Sequence, residues 1–151
     1  MRRPLFGYPR RGPAGLTVAA IALLALARRS LVLVTVSGHS MAPTVPNGGR
    51  LLVRRQDGRG CRPGQLVVFR PPDAGSVGVE WFVKRVAAVA GDPVPSCILE
   101  AYKDTTWTVP DAHIAVLGDA QRSRDSRHFG LVPLTAVLGV ACRTWRDKGT
   151  E

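Results

Sequence analysis

The stretch LVLVTVSGHSMAPTVPNG, residues 31–48, changes character in the middle. Its first six residues are aliphatic or β-branched, the composition of a strand. From Ser37 onward, Gly, Pro and Asn bring that strand to an end. Ser40 therefore stands where a strand gives way to an irregular turn. It is either an ordinary turn residue or a nucleophile held at a strand end, and the remainder of the chain has to decide between them.

Similar short runs follow at residues 50–55, 65–70, 80–90, 106–109, 113–118 and 136–145. They are rich in valine, closely spaced and divided by turn residues such as the RPG at 62–64. This spacing predicts a mainly β, antiparallel core, closed into a barrel or split into two sheets. The length of 151 residues leaves room for one such domain with a short appendage. A hydrophobic content of 45% suits a folded core, and 16 Gly and 12 Pro suit a turn-rich one.

The net charge of +10 suggests nucleic acid until it is mapped along the chain. Nine arginines and no acidic residue precede Asp57, whereas from Asp57 onward 12 basic residues face 11 acidic ones. The excess belongs to the N-terminal part, beside the apolar segment GPAGLTVAAIALLALA at residues 12–27. That combination fits an anionic lipid surface better than a DNA-binding face, so no nucleic-acid partner is expected. As a helix the segment would span about 24 Å, short of a hydrocarbon core of about 30 Å. Flanking arginines could snorkel to complete a crossing.

Three readings of this segment stand: a retained membrane anchor, a secretory signal cleaved after the ALA at 25–27, or a peripheral helix. The anchor is the favoured one. Four arginines before it and two after it place the N-terminus in the cytoplasm and the body on the outer face of the cell membrane, as a single-pass protein. The organisation expected is a basic N-terminus and anchor over 1–30, a catalytic domain over 31–142 and a polar tail over 143–151.

Cys61, Cys97 and Cys142 show no metal-ligand spacing. Three buried thiols are expected, with one disulfide plus a free thiol as the alternative. No metal or cofactor is implied.

A nucleophilic serine needs a base. His39 adjoins Ser40, and neighbours on a strand point to opposite faces, so that pair is poorly placed. His113 opens a predicted strand, and His128 lies in a charged loop. Nothing selects either of them. Among the three lysines, Lys103 and Lys148 sit among polar residues, but Lys84 lies inside WFVKRVAAVA, residues 81–90. Burial disfavours the ammonium form, and a neutral lysine can act as a general base. By composition alone, Lys84 could equally snorkel from an edge strand.

The order of four stretches changes this balance. GHSMAPT (38–44), RPGQLVVFRPP (62–72), VKRVAAVAGD (83–92) and LGDAQRSRDSRHFGLVP (117–133) together resemble the conserved boxes of the type I signal peptidases, the Ser/Lys-dyad serine proteases of family S26. The resemblance covers roughly residues 31–142. It implies a signal-peptidase-like catalytic β core preceded by one N-terminal apolar, transmembrane helix. It also implies Ser40 as nucleophile, Lys84 as general base and Ser123 as the hydroxyl that orients the lysine. Met41 would line the substrate pocket, and Gly118, Asp119, Asp125, Ser126 and Arg127 would brace the site through an Asp/Arg ion pair.

The Ser40 N–H is the first oxyanion donor. Some relatives add a hydroxyl two residues earlier, where this chain has Gly38. The last box is also shorter than the common form by one residue before Ser123. Only 25 residues separate Asp92 from Gly118, so the chain resembles minimal family members.

The substrates implied are preproteins or leader peptides, bound in extended form along Gly38–Ser40 and Phe82–Val83. A dedicated leader protease, such as one maturing a nickel superoxide dismutase, is the alternative and would place the catalytic domain in the cytoplasm. An inactive membrane-anchored peptide-binding module is the alternative outside the enzymes. A Ser/Lys autoproteolytic repressor would need a DNA-binding helical module that the first thirty residues cannot provide.

Overall fold

The computed structural model describes residues 17–19, 21, 30–74, 81–102 and 107–145. Among these residues seven strands form one antiparallel sheet: β1 (Leu31–Thr35), β2 (Arg50–Arg55), β3 (Leu66–Phe69), β4 (Phe82–Val89), β5 (His113–Leu117), β6 (Val132–Pro133) and β7 (Val137–Trp145). Their order across the sheet is β1-β2-β7-β3-β4-β5-β6. The last long strand is thus inserted between β2 and β3, which ties the two ends of the core together.

The expected strands at 31–36, 50–55, 65–70, 80–90, 113–118 and 136–145 all appear, each within a residue or two. Of the run at 106–109, the described residues 107–109 do not form a strand; Thr108 contributes only an isolated bridge to Pro93. Two short helices are added, α1 (Ser96–Tyr102) and α2 (Ser126–Phe129). α1 starts after Pro95 and turns the fully buried Ile98 against Val94, Val109 and Ala115. Seven residues make fewer than two turns, too few for a helical period to register in the sequence.

The sheet is neither a closed barrel nor a pair. Its register shifts at Leu52/Val53, Val68/Phe69 and Val86/Ala88. Bulges of this kind bend strands and increase their twist. The consequence is a strong curl that brings the edge strand β1 toward β4, although three strands lie between them in the sheet order. Val34 and Val36 pack with Leu51, Val53, Val68 and Val83 inside the curl. Val67, Phe69, Val86, Ile114 and Val116 form a second core. β3 is buried at every position because its alternate residues serve these two cores.

The segment at 12–27 lies mostly outside the described residues. Residues 17–19 and 21 are helical, with Val18 and Ile21 exposed at 67% and 68%. Among the described residues no helix is long and apolar enough to cross a membrane. The three cysteines are free, and only Cys61 is buried; Cys142 is exposed, contrary to the expectation of three buried thiols. Its strand, β7, leaves the core at that point.

Candidate active site

β1 ends just before the turn that carries Ser40. Gly38 takes φ +104°, open to glycine at little cost, and its N–H donates to Asn47 Oδ1 at 2.9 Å. The chain is thereby reversed so that Ser40 faces β4. Lys84 lies opposite Val67 in the β3–β4 ladder and is only 3% exposed. Its Nζ donates to Ser40 Oγ at 2.6 Å and sits 5.5 Å from the centre of the Phe82 ring. Burial pushes the Lys84 amine below its ordinary range, and Asp125 and Asp119 only partly oppose that shift. A hydroxyl hydrogen-bonded to an amine that is biased toward its neutral form can be deprotonated by it.

Both groups line a groove of about 500 Å³, bounded by residues 34–37 at the end of β1 and just beyond it, by residues 81–84 at the start of β4, and by Arg124. Among the described residues β1 pairs only with β2. The β4–β5 ladder begins only at Arg85–Leu117, so Phe82–Lys84 pair with β3 alone among the described residues. Open strand edges therefore flank the groove.

The loop following β5 supports the pair from behind. The Ala120 N–H donates to the Ser40 carbonyl at 3.1 Å. Gly118 packs so closely that a Cβ there would meet the Ser123 side chain and stand 2.8 Å from the Ser40 carbonyl oxygen. Asp125 is fully buried. Its carboxylate accepts from the Gly118 N–H at 2.9 Å and from the Arg127 guanidinium at 2.9 and 2.8 Å, and it caps α2. Burial alone would raise this carboxyl. The bonds from Arg127 and Gly118 outweigh burial and hold the pKa below the ordinary 3.8. Ser126 Oγ accepts from the Val116 N–H at 2.9 Å, locking the start of α2 to β5.

A second carboxylate pair joins the elements. Arg85, next to Lys84, donates through Nε and Nη2 to Asp119 at 2.8 and 2.6 Å, through Nη1 to the Gly64 carbonyl and through Nη2 to Thr44 Oγ1. One guanidinium thus ties β4, the Ser40 turn and the Asp119 loop. The hydrogen bonds of Arg85 also lower the Asp119 carboxyl. The stabilisation from Asp125 and Asp119 is fully present above about pH 4. It is lost as pH falls through their depressed folded-state values, so acid unfolding should begin in that range. Asp125→Ala strands the Gly118 N–H and the Arg127 charge, and a loss of about 3 kcal/mol in chemical denaturation is expected.

Met41 and Ser123 stand without the contacts expected of them. Met41 does not line the groove; it is fully buried in the core inside the curl, because the turn after Ser40 directs the next side chain inward. Ser123 is brought beside Gly118, but its buried Oγ makes no hydrogen bond among the described residues, to Lys84 or to any other group. Phe82, Val83, Ser40 and Lys84 do line the groove, and Ser37 takes the place at its wall expected for Gly38. His113 and His128 have contacts elsewhere, with Asp111 and Asp125. Sequence reasoning does not single out Arg85, although an arginine inside an otherwise apolar strand demands a carboxylate partner.

A serine hydroxyl bound to a buried lysine amine, in a groove flanked by open strand edges, is the arrangement of a serine hydrolase with a lysine base. The model of the family described as "Signal peptidase, peptidase S26" matches residues 12–97 and 95–145, and the chain belongs to that family. The mitochondrial ATP-independent inner membrane protease subunit 1b of Arabidopsis thaliana is 39% identical over 115 residues, or 72% of this chain. The match spans 66% of that relative, just under two thirds of its length. A signal peptidase I crystal structure from Enterococcus faecalis V583 aligns loosely, with a TM-score of 0.40 and 21% identity over 54% of this chain and 97% of that one.

Proposed function

We propose that this protein is a membrane-associated serine endopeptidase that removes N-terminal signal or leader peptides. The observation that carries this reading is the 2.6 Å contact between Lys84 Nζ and Ser40 Oγ inside a groove open to a peptide. Family membership supports the reaction class. Ser40 Oγ attacks the scissile carbonyl while Lys84 takes its proton. Lys84 then returns that proton to the leaving amine, and water, deprotonated by the same lysine, hydrolyses the acyl-enzyme. The Ser40 N–H makes no hydrogen bond among the described residues and is left to stabilise the oxyanion, a contribution of about 3 kcal/mol. Ser123 completes the dyad by turning its unpartnered hydroxyl to the lysine during the reaction.

The substrate lies extended between the β1 and β4 edges and adds main-chain hydrogen bonds to them. The apolar segment at 12–27 anchors the chain as a single transmembrane helix, with the catalytic domain on the outer face. The exposed Val18 and Ile21 support lipid contact. Hydrolysis of this kind needs no nucleotide, in keeping with the name of the Arabidopsis relative.

Purified full-length protein in detergent should cut a preprotein carrying an Ala-x-Ala site, without ATP. Absence of cleavage across a panel of preproteins and leader peptides would reject the peptidase reading. Because Lys84 must be neutral to accept a proton, kcat/KM should fall as pH drops through its pKa. Burial lowers that pKa, so the acid limb of the profile should lie below the ordinary lysine range. A limb at the unperturbed value of about 10.4 would rule out Lys84 as a desolvated base.

A further inference from the structure

One cation in the groove has no part in the reaction described above. The Arg124 guanidinium lies 5.7 Å from the centre of the Phe82 ring, the same ring that lies beside Lys84. It lines the groove with Trp81 and Phe82 and is about half exposed. Its one carboxylate partner among the described residues is Asp73, with Nη2 and Oδ2 2.5 Å apart, and that carboxylate is itself 44% exposed. Among the described residues no acidic side chain lines the groove itself. A guanidinium held over an aromatic ring presents a planar fork suited to a carboxylate, and the half-exposed Asp73 holds that fork where a carboxylate from solvent could replace it. Phe82 precedes Lys84 by two residues on β4, which is about 7 Å along a strand.

We propose that Arg124 is a specificity-determining residue that selects peptides with an acidic side chain about two residues from the scissile bond, the substrate carboxylate taking the place of Asp73. The proposal rests on the peptidase reading, and it names a substrate class for that site. Asp73 acts as an internal competitor that holds the guanidinium in position until a peptide arrives.

The test uses the full-length protein in detergent and neutral peptides in which one Asp or one Lys is placed in turn at three positions on either side of the cleavage site. Wild type should prefer the Asp peptide over the neutral one by about fivefold in kcat/KM at the best position, mainly through KM, with the preference shrinking in high salt. Arg124→Gln should bring the ratio to one, Arg124→Lys should keep part of it, and Arg124→Glu should reverse it toward Lys. Asp73→Asn should enlarge it. Equal ratios in wild type and Arg124→Gln, or no reversal in Arg124→Glu, would overturn the proposal.

The same ratio is read by fluorescence anisotropy on Ser40→Ala protein, with and without Arg124→Gln, where no cleavage is involved. Asp-dependent binding that vanishes with Arg124, together with a wild type that cuts no peptide of the series, would uphold Arg124 and reject the peptidase reading. No Asp preference in binding would reject Arg124 whatever the outcome for cleavage.

Discussion

Ser40→Ala and Lys84→Met should each lower kcat/KM toward an Ala-x-Ala peptide by at least about 10⁴-fold. The nucleophile and its base act as one unit, so the double variant should be no slower than the worse single one. The residual rate would come from the oxyanion donor and peptide binding alone. Methionine is the informative replacement for Lys84, since it preserves most of the buried volume while removing the amine. Folding stability supplies a second readout with the opposite sign. Keeping a lysine 3% exposed costs desolvation, and its 2.6 Å bond to Ser40 returns only part of that cost. Lys84→Met should therefore be as stable as wild type or more stable in thermal denaturation. A Lys84→Met protein that retains a few per cent of activity would transfer the role of base to another group. One that loses both activity and fold would show that the lysine is structural.

Gly118→Ala should have the next largest effect, about 100-fold in kcat/KM, with a loss of about 2 kcal/mol in stability. No positive φ is at issue here; the constraint is contact. The added methyl would overlap the Ser123 side chain and stand 2.8 Å from the Ser40 carbonyl oxygen. Backbone atoms cannot swing away as the end of a flexible side chain can. The strain must be relieved by moving the loop, which breaks the Ala120 N–H to Ser40 carbonyl bond, or by moving Ser40 itself. Either displacement spoils a 2.6 Å contact that must stay aligned for proton transfer. Combining the change with Ser123→Gly removes one of the two clashes and should recover part of the stability. Activity close to wild type in Gly118→Ala alone would mean that the Ser40 turn is not held by this loop.

Particular residues show where sequence reading succeeds and where it stops. β2 is legible to the residue, because RLLVRR alternates burial in the manner of a half-buried strand. The 106–109 run misleads. Its β-branched composition is right, but Trp107 is 41% exposed, and the backbone bonds of Trp107 and Val109 to residues 91–94 frame a single isolated bridge at Thr108 rather than a ladder. Strand propensity becomes a strand only when an edge is available to pair with it. Met41 misleads in a different way, for its position next to Ser40 is local information, whereas the direction of its side chain is set by the turn. Arg124 is invisible for a similar reason: in the sequence it is one charge in a charged loop, and only the approach of that loop to Phe82 gives it a role.

The sequence by itself determined the strand segments, the turn that ends at Ser40, the N-terminal concentration of arginine and the candidacy of Lys84 as a lysine within an apolar run. Each of these depends on side-chain chemistry over a few neighbouring residues. The tertiary structure decided that Ser40 and Lys84, 44 residues apart, share a hydrogen bond, and that Arg85 and Asp119 tie their supports together. It also decided that the strands make one curled sheet. That curl is the sum of twist and three register shifts across ladders between distant segments, and no local pattern encodes such a sum.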